Sequence, residues 1–127
     1  MQQISRTESA PAPVQGAPYN PGIAANGFVF VAGQLGLDPA TGQIVEGGIT
    51  AQTERVFANL RAVLEAAGAS LDSIVKTTVF LSNLDDFAAM NDVYARHIGD
   101  QPPARSTVEV GRLPSGALVE IEAIAVA

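Results

Sequence analysis

Residues 49–68 read ITAQTERVFANLRAVLEAAG and residues 74–81 read IVKTTVFL. In the first stretch Ile49, Thr53, Val56, Phe57, Leu60, Val63, Leu64 and Ala67 recur at helical spacing, while Gln52, Glu54, Arg55, Arg61 and Glu65 fall mostly off that stripe. The pattern predicts an amphipathic helix over 50–67, stopped by Gly68. The second stretch is rich in β-branched residues and predicts a strand. Downstream, Asn83 or Asp85 can cap a second helix whose apolar face is Phe87, Met90, Tyr94 and Ile98 and whose end is Gly99. Pro102-Pro103 prevents its continuation. Strands are expected over 106–110 and 118–126, joined through the turn Leu113-Pro114-Ser115-Gly116.

Upstream, Asn26-Gly27 suits the tight turn of a hairpin between a short run at 19–24 and the strand Phe28-Val29-Phe30-Val31-Ala32. That strand is apolar on both faces, so it is expected to be covered on two sides. Asp38-Pro39-Ala40-Thr41-Gly42 makes a further turn. The order is β-β-α-β-α-β-β, with room for another strand in an irregular arm reaching about Gln15. It predicts an α+β fold, a single mixed β-sheet with both helices packed on one face, in one domain spanning 1–127.

The 127 residues carry seven Lys plus Arg against thirteen Asp plus Glu, a formal charge of −6. That sign opposes phosphate neutralisation, so neither nucleic acid nor anionic membrane is expected as a partner. Charged residues make up only 16% of the chain, against about 25% in an average soluble domain. Some of the surface, most simply the sheet face away from the helices, is therefore expected to meet another subunit in a closed oligomer. No cysteine is present, which removes disulfides and thiolate chemistry. The uncharged run 9–37 is broken by Pro11, Pro13, Pro18 and Pro21 and is not expected to span a membrane. The amino-terminal Met-Gln-Gln-Ile-Ser-Arg lacks a basic start and an apolar core, so a cytoplasmic location is expected.

No phosphate loop, dinucleotide turn or serine-nucleophile elbow occurs. His97, at the end of the second helix, reads as an exposed residue favoured by the helix dipole, and Asp85-Asp86 as helix N-terminal charge. Arg105 stands where Pro102-Pro103 leads into a strand, a defined place for a guanidinium to grip a carboxylate with two parallel hydrogen bonds. The alternative is a structural ion pair with Glu109, Glu120 or Glu122. Glu120 and Glu122 share one side of the last strand with Leu118 and Ile124, which sets acids in an otherwise apolar row. There a carboxyl can serve as a partly desolvated acid or base, or simply pair with Arg105. Spacing leaves open whether Arg105 and Glu120 meet within one chain or across an interface.

Gly33-Gln34, Asp38-Pro39-Ala40-Thr41-Gly42, Gly47-Gly48-Ile49, 63–68, 75–81, Pro103-Ala104-Arg105-Ser106 and Val119-Glu120-Ile121-Glu122-Ala123 together resemble the reactive intermediate deaminase family, also called YjgF/UK114. The resemblance implies a chorismate-mutase-like homotrimer with active sites in clefts between subunits and no metal or organic cofactor. It also implies hydrolysis of enamines and imines such as 2-aminoacrylate and 2-iminopropanoate to 2-oxo acids and ammonia. Carried over by position, Arg105 holds the substrate carboxylate, Glu120 serves the hydrolytic water, and the Gly33 backbone meets the imine nitrogen. Tyr19, Asn91 and Thr107 line the pocket. Ala32 and Thr107 depart from the serine and cysteine common at those positions, which bears on substrate range. A non-catalytic module that binds a small carboxylate in the inter-subunit cleft is the alternative reading. A ribonuclease or translation inhibitor is disfavoured by the acidic balance.

Overall fold

The computed structural model describes residues 1–4, 10–12 and 17–127. Six strands, β1 (Gln2–Ile4), β2 (Gly22–Ala25), β3 (Phe28–Leu35), β4 (Ile74–Leu81), β5 (Ala104–Glu109) and β6 (Val119–Val126), form one sheet in the order β1-β2-β3-β6-β4-β5. Only β4 and β5 run parallel, as the connection through a helix demands, so the sheet is mixed. Asn26 and Gly27, at φ 53° and 81°, close the β2–β3 hairpin with both central residues left-handed, the turn type that matches strand twist. The two helices, α1 (Gly48–Ala66) and α2 (Phe87–Ile98), lie against the same face. Asn83 caps the single turn ahead of α2 by accepting from the Asp85 amide at 2.8 Å. Among the described residues no helix is long and apolar enough to cross a membrane.

The expected stripe of α1 is the core. Val56, Phe57, Leu60, Val63 and Leu64 are fully buried against Val29 and Val31 of β3, Val79 and Leu81 of β4, and Val119, Ile121 and Ala125 of β6. Strand alternation then sends Phe28, Phe30 and Val126 to the opposite face, where each is more than two-fifths exposed. The expectation that β3 is covered on both sides therefore fails among the described residues, which place no layer on the second face. Val108 of β5 is exposed to a similar degree.

Two amides of α1 hold the sheet's centre. Buried Asn59 donates from Nδ2 to the carbonyls of Leu35 and Leu37, both at 3.0 Å, while its Oδ1 accepts from Arg55 Nε. Gln52 Oε1 accepts from the Leu118 amide at 2.8 Å. These bonds pin the end of β3 and the start of β6. Asn59→Ala should cost about 1–3 kcal/mol, because the buried Leu35 carbonyl and the partly buried Leu37 carbonyl both lose their donor. Urea unfolding at fixed protein concentration should show a lowered midpoint with an unchanged slope.

Candidate active site

Between the pairs Val31↔Ala123 and Gln34↔Ile121, β3 uses two residues, Ala32 and Gly33, where β6 uses one. This bulge turns the Gly33 backbone toward Glu120. A Cβ on residue 33 would stand 2.7 Å from Glu120 Cδ, so a glycine is required there for the carboxyl to keep its place. Glu120 pairs with Phe80 and Leu35 and lies on the sheet face away from the helices. With Tyr19, Gly33, Leu35, Pro114 and Ser115 it lines a cavity of about 400 Å³. Ser115 holds a left-handed conformation, φ 59°, in the turn that forms part of this wall. Burial, and secondarily the neighbouring Glu122 charge, pushes the Glu120 carboxyl above the usual carboxylate range.

Arg105 faces the other way. It stands beside Thr77 in the β4–β5 ladder, and Thr77 in turn stands beside Ala123. Residues paired in this way share a face. Thr77 and Ala123 are buried under the helices, so Arg105 projects on the helix side. There its guanidinium carbon sits 4.7 Å from the Tyr94 ring centroid and 5.5 Å from that of Phe87. Arg105 shares a second cavity, about 350 Å³, with Asn91, Tyr94, Ile98 and Pro103. Among the described residues no carboxylate comes within ion-pair distance of it. The structural ion pair considered from the sequence is not formed: Glu109 instead accepts the Leu84 amide at 2.9 Å, and Glu120 and Glu122 are on the opposite face.

The six residues singled out in the sequence thus fall into two groups. Tyr19, Gly33 and Glu120 occupy one face, and Asn91 and Arg105 the other. Thr107, two residues along β5 from Arg105, belongs with the second group. Two of these residues have unused polar capacity, since Asn91 Oδ1 and Thr107 Oγ1 are buried without a hydrogen-bond partner among the described residues. A group in that condition calls for water, ligand or a neighbouring chain. The sheet itself separates the halves, so a single chain does not bring Arg105 and Glu120 to one substrate.

Sequence reasoning missed Tyr94 and Phe87 as neighbours of Arg105, since helical periodicity assigns both to the core. Pro114 and Ser115 were legible as a turn but not as a wall of the Glu120 cavity. His97 differs from its expectation as well. Its Nε2 meets Glu54 Oε2 at 2.8 Å and its ring stacks on Phe57 at 4.7 Å, so it is largely covered and links α2 to α1. Arg96 Nη2 donates to the other Glu54 oxygen at 2.7 Å. The Arg96 hydrogen bond first, and His97 second, hold the Glu54 carboxyl below its ordinary range. Among the described residues no group of three or more His, Cys, Asp and Glu side chains is arranged to hold a metal ion.

The family model described as Endoribonuclease L-PSP matches residues 7–127. A RutC family protein of Pyrococcus horikoshii is 51% identical over 125 residues, 98% of either chain. A goat protein named 2-iminobutanoate/2-iminopropanoate deaminase is 40% identical over 126 residues, 99% of this chain and 90% of its own. The solved structure of E. coli TdcF with bound serine superposes with a TM-score of 0.90 at 38% identity, covering 99% of both chains.

The raised Glu120 value gives a pH dependence of defined sign. An acid whose folded value lies above its unfolded one binds its proton more tightly in the native state. Its contribution to stability is complete below about pH 4.5 and is lost as pH rises through the raised folded value. Glu120→Gln carries no titrating proton, so across that window its melting temperature should fall less steeply with pH than the wild type's. Parallel melting curves would show that Glu120 is solvated as an ordinary surface acid.

Proposed function

The chain belongs to the family described as Endoribonuclease L-PSP, the reactive intermediate deaminase family that its sequence resembles, and from that membership and the two half-sites we propose that it hydrolyses small 2-imino acids and their enamine tautomers. The observation that carries this reading is an Arg105 guanidinium with no carboxylate at ion-pair distance among the described residues, facing away from a half-buried Glu120 carboxyl. Arg105 binds the substrate carboxylate through its planar fork. The serine bound to the related TdcF, itself an amino acid carboxylate, supports a ligand of this class.

In the proposed assembly, three copies pack the apolar sheet face of each against its neighbours, covering Phe28, Phe30 and Val126. The Glu120 half-site of one copy then meets the Arg105 half-site of the next. The substrate, an imine carbon bonded to a carboxylate, is already electrophilic and needs no covalent nucleophile. Glu120, protonated to a greater extent than an ordinary carboxyl, donates a proton to the imine nitrogen, and water adds to the carbon. The resulting carboxylate takes a proton from the added water's oxygen. Glu120 then gives that proton to the amine nitrogen, the carbon–nitrogen bond breaks as the carbon–oxygen double bond forms, and the carboxylate takes the remaining hydroxyl proton. One water is consumed: its oxygen becomes the keto oxygen, ammonia leaves, and Glu120 ends protonated as it began. The Gly33 backbone, held beside the carboxyl, lines the nitrogen's position, while Asn91 and Thr107 bring their unused polar atoms to the pocket.

RNA cleavage, which the family description names, is opposed here by the formal charge of −6. A coupled assay that generates 2-aminoacrylate and follows 2-oxo acid release above the spontaneous rate tests the proposal. Wild type should accelerate release. Arg105→Ala should lower kcat/KM by about 10²-fold through lost orientation and charge pairing, and Arg105→Lys should not restore it because an ammonium lacks the fork. Glu120→Gln should lower kcat by roughly 10²–10⁴-fold. Equal rates for wild type, Arg105→Ala and buffer would reject the deaminase reading; saturable carboxylate binding without turnover would replace it with a binding module.

A further inference from the structure

Arg105 has a long, flexible side chain, and among the described residues no carboxylate steadies it. Two rings do so instead. Tyr94 lies 4.7 Å from its guanidinium carbon and Phe87 lies 5.5 Å away, both within the range where a cation is attracted by a ring face. The Tyr94 ring is itself fixed. Its hydroxyl shares a 2.7 Å hydrogen bond with Thr77 Oγ1, and its plane meets Phe57 edge-on at 5.5 Å and 81°. Thr77 is fully buried and is the direct ladder neighbour of Arg105, so the ring's anchor and the arginine's backbone belong to adjacent strands.

Phe87 is the more telling of the two rings. Periodicity places it on the core face of α2 with Met90, Tyr94 and Ile98, and those three are buried. Phe87 is 40% exposed at the first residue of the helix. A large ring left there contributes little to the core, and the cation it accompanies is Arg105. Seating a guanidinium on rings differs from seating it in an ion pair. A carboxylate would hold the group equally well but would occupy its N–H donors, whereas a ring face attracts the charge and leaves the edge donors free.

We propose that Tyr94 and Phe87 are positioning residues that form an aromatic seat for the Arg105 guanidinium, aiming its fork at the carboxylate of the substrate, with Thr77 fixing the Tyr94 ring. The proposal rests on the reading of Arg105 as the carboxylate-binding group. The seat acts on binding and orientation and transfers no proton, so it separates KM from kcat. It also explains why arginine is needed at position 105: a planar cation can lie along a ring and still present two parallel donors, and an ammonium cannot.

The test measures 2-oxobutanoate affinity by calorimetry beside turnover in the 2-aminoacrylate assay, on full-length Phe87→Leu, Phe87→Tyr and Tyr94→Leu. Phe87→Leu and Tyr94→Leu should each weaken 2-oxobutanoate binding and raise KM by about 3- to 30-fold, with kcat within about 3-fold of wild type. Phe87→Tyr, which keeps a ring, should bind as wild type does. Because Tyr94 is also packed in the core, a Tyr94→Leu protein that fails to fold leaves the decision to the exposed position 87. Wild-type affinity in a folded Phe87→Leu variant overturns the seat while leaving the deaminase reading intact. Ring-dependent 2-oxobutanoate binding without any imine turnover upholds the seat and removes the deaminase reading. Absence of 2-oxobutanoate binding to wild type overturns both.

Discussion

A β-strand sends successive side chains to opposite faces, and in this protein that alternation separates the two groups on which the proposed chemistry depends. Arg105, in register with buried Thr77, can only point toward the helices. Glu120, opposite Phe80, can only point away from them. Neither can reach the other without a register shift that would turn the core of its strand inside out. The constraint is therefore topological and does not depend on side-chain rotamers. It makes an active site that joins these residues a property of more than one chain.

The same alternation accounts for the surface. With α1 and α2 both on one side, the inward residues of β3, β4 and β6 form a dry core, and the outward ones leave phenylalanines and a valine in the open. A face of that composition beside a carboxyl that is already partly desolvated fits a second copy better than it fits water. The proposed assembly would remove further solvent from Glu120 and strengthen every polar contact in the cleft. Asn59 and Gln52, by tying the ends of β3 and β6 to α1, keep the Gly33 bulge and Glu120 in fixed relation.

Much of the architecture was legible in the order of residues. The stripe of α1 and the Asn26-Gly27 turn each rest on local chemistry that tertiary context does not override, and the arm, which the sequence leaves open to a further strand, contributes β1. The register was not legible. Whether residue 33 sits in a bulge, or residue 105 stands beside Thr77 rather than Thr78, follows from strand pairings distant in sequence. That is why spacing left the relation of Arg105 to Glu120 open. Phe87 was misread for a related reason: the helical period marks it as apolar-face, but α2 begins at that residue, beyond the reach of the core. His97 was judged from its place at a helix end, and only packing brings it onto Phe57 and Glu54 of α1. The candidate site residues are named by the motifs around Gly33, Arg105 and Glu120, while their division between two faces requires the sheet.

The central claim, that one chain's Arg105 works with another chain's Glu120, is tested most directly by complementation. Inactive Arg105→Ala and inactive Glu120→Gln proteins are unfolded together, co-refolded in equal amounts and assayed for imine hydrolysis. In a trimer with sites shared between neighbours, random assembly recreates intact pairs in roughly a quarter of the sites, so about that share of wild-type activity should return. A mixture as inactive as its parents, despite demonstrated formation of mixed oligomers, would contradict the account.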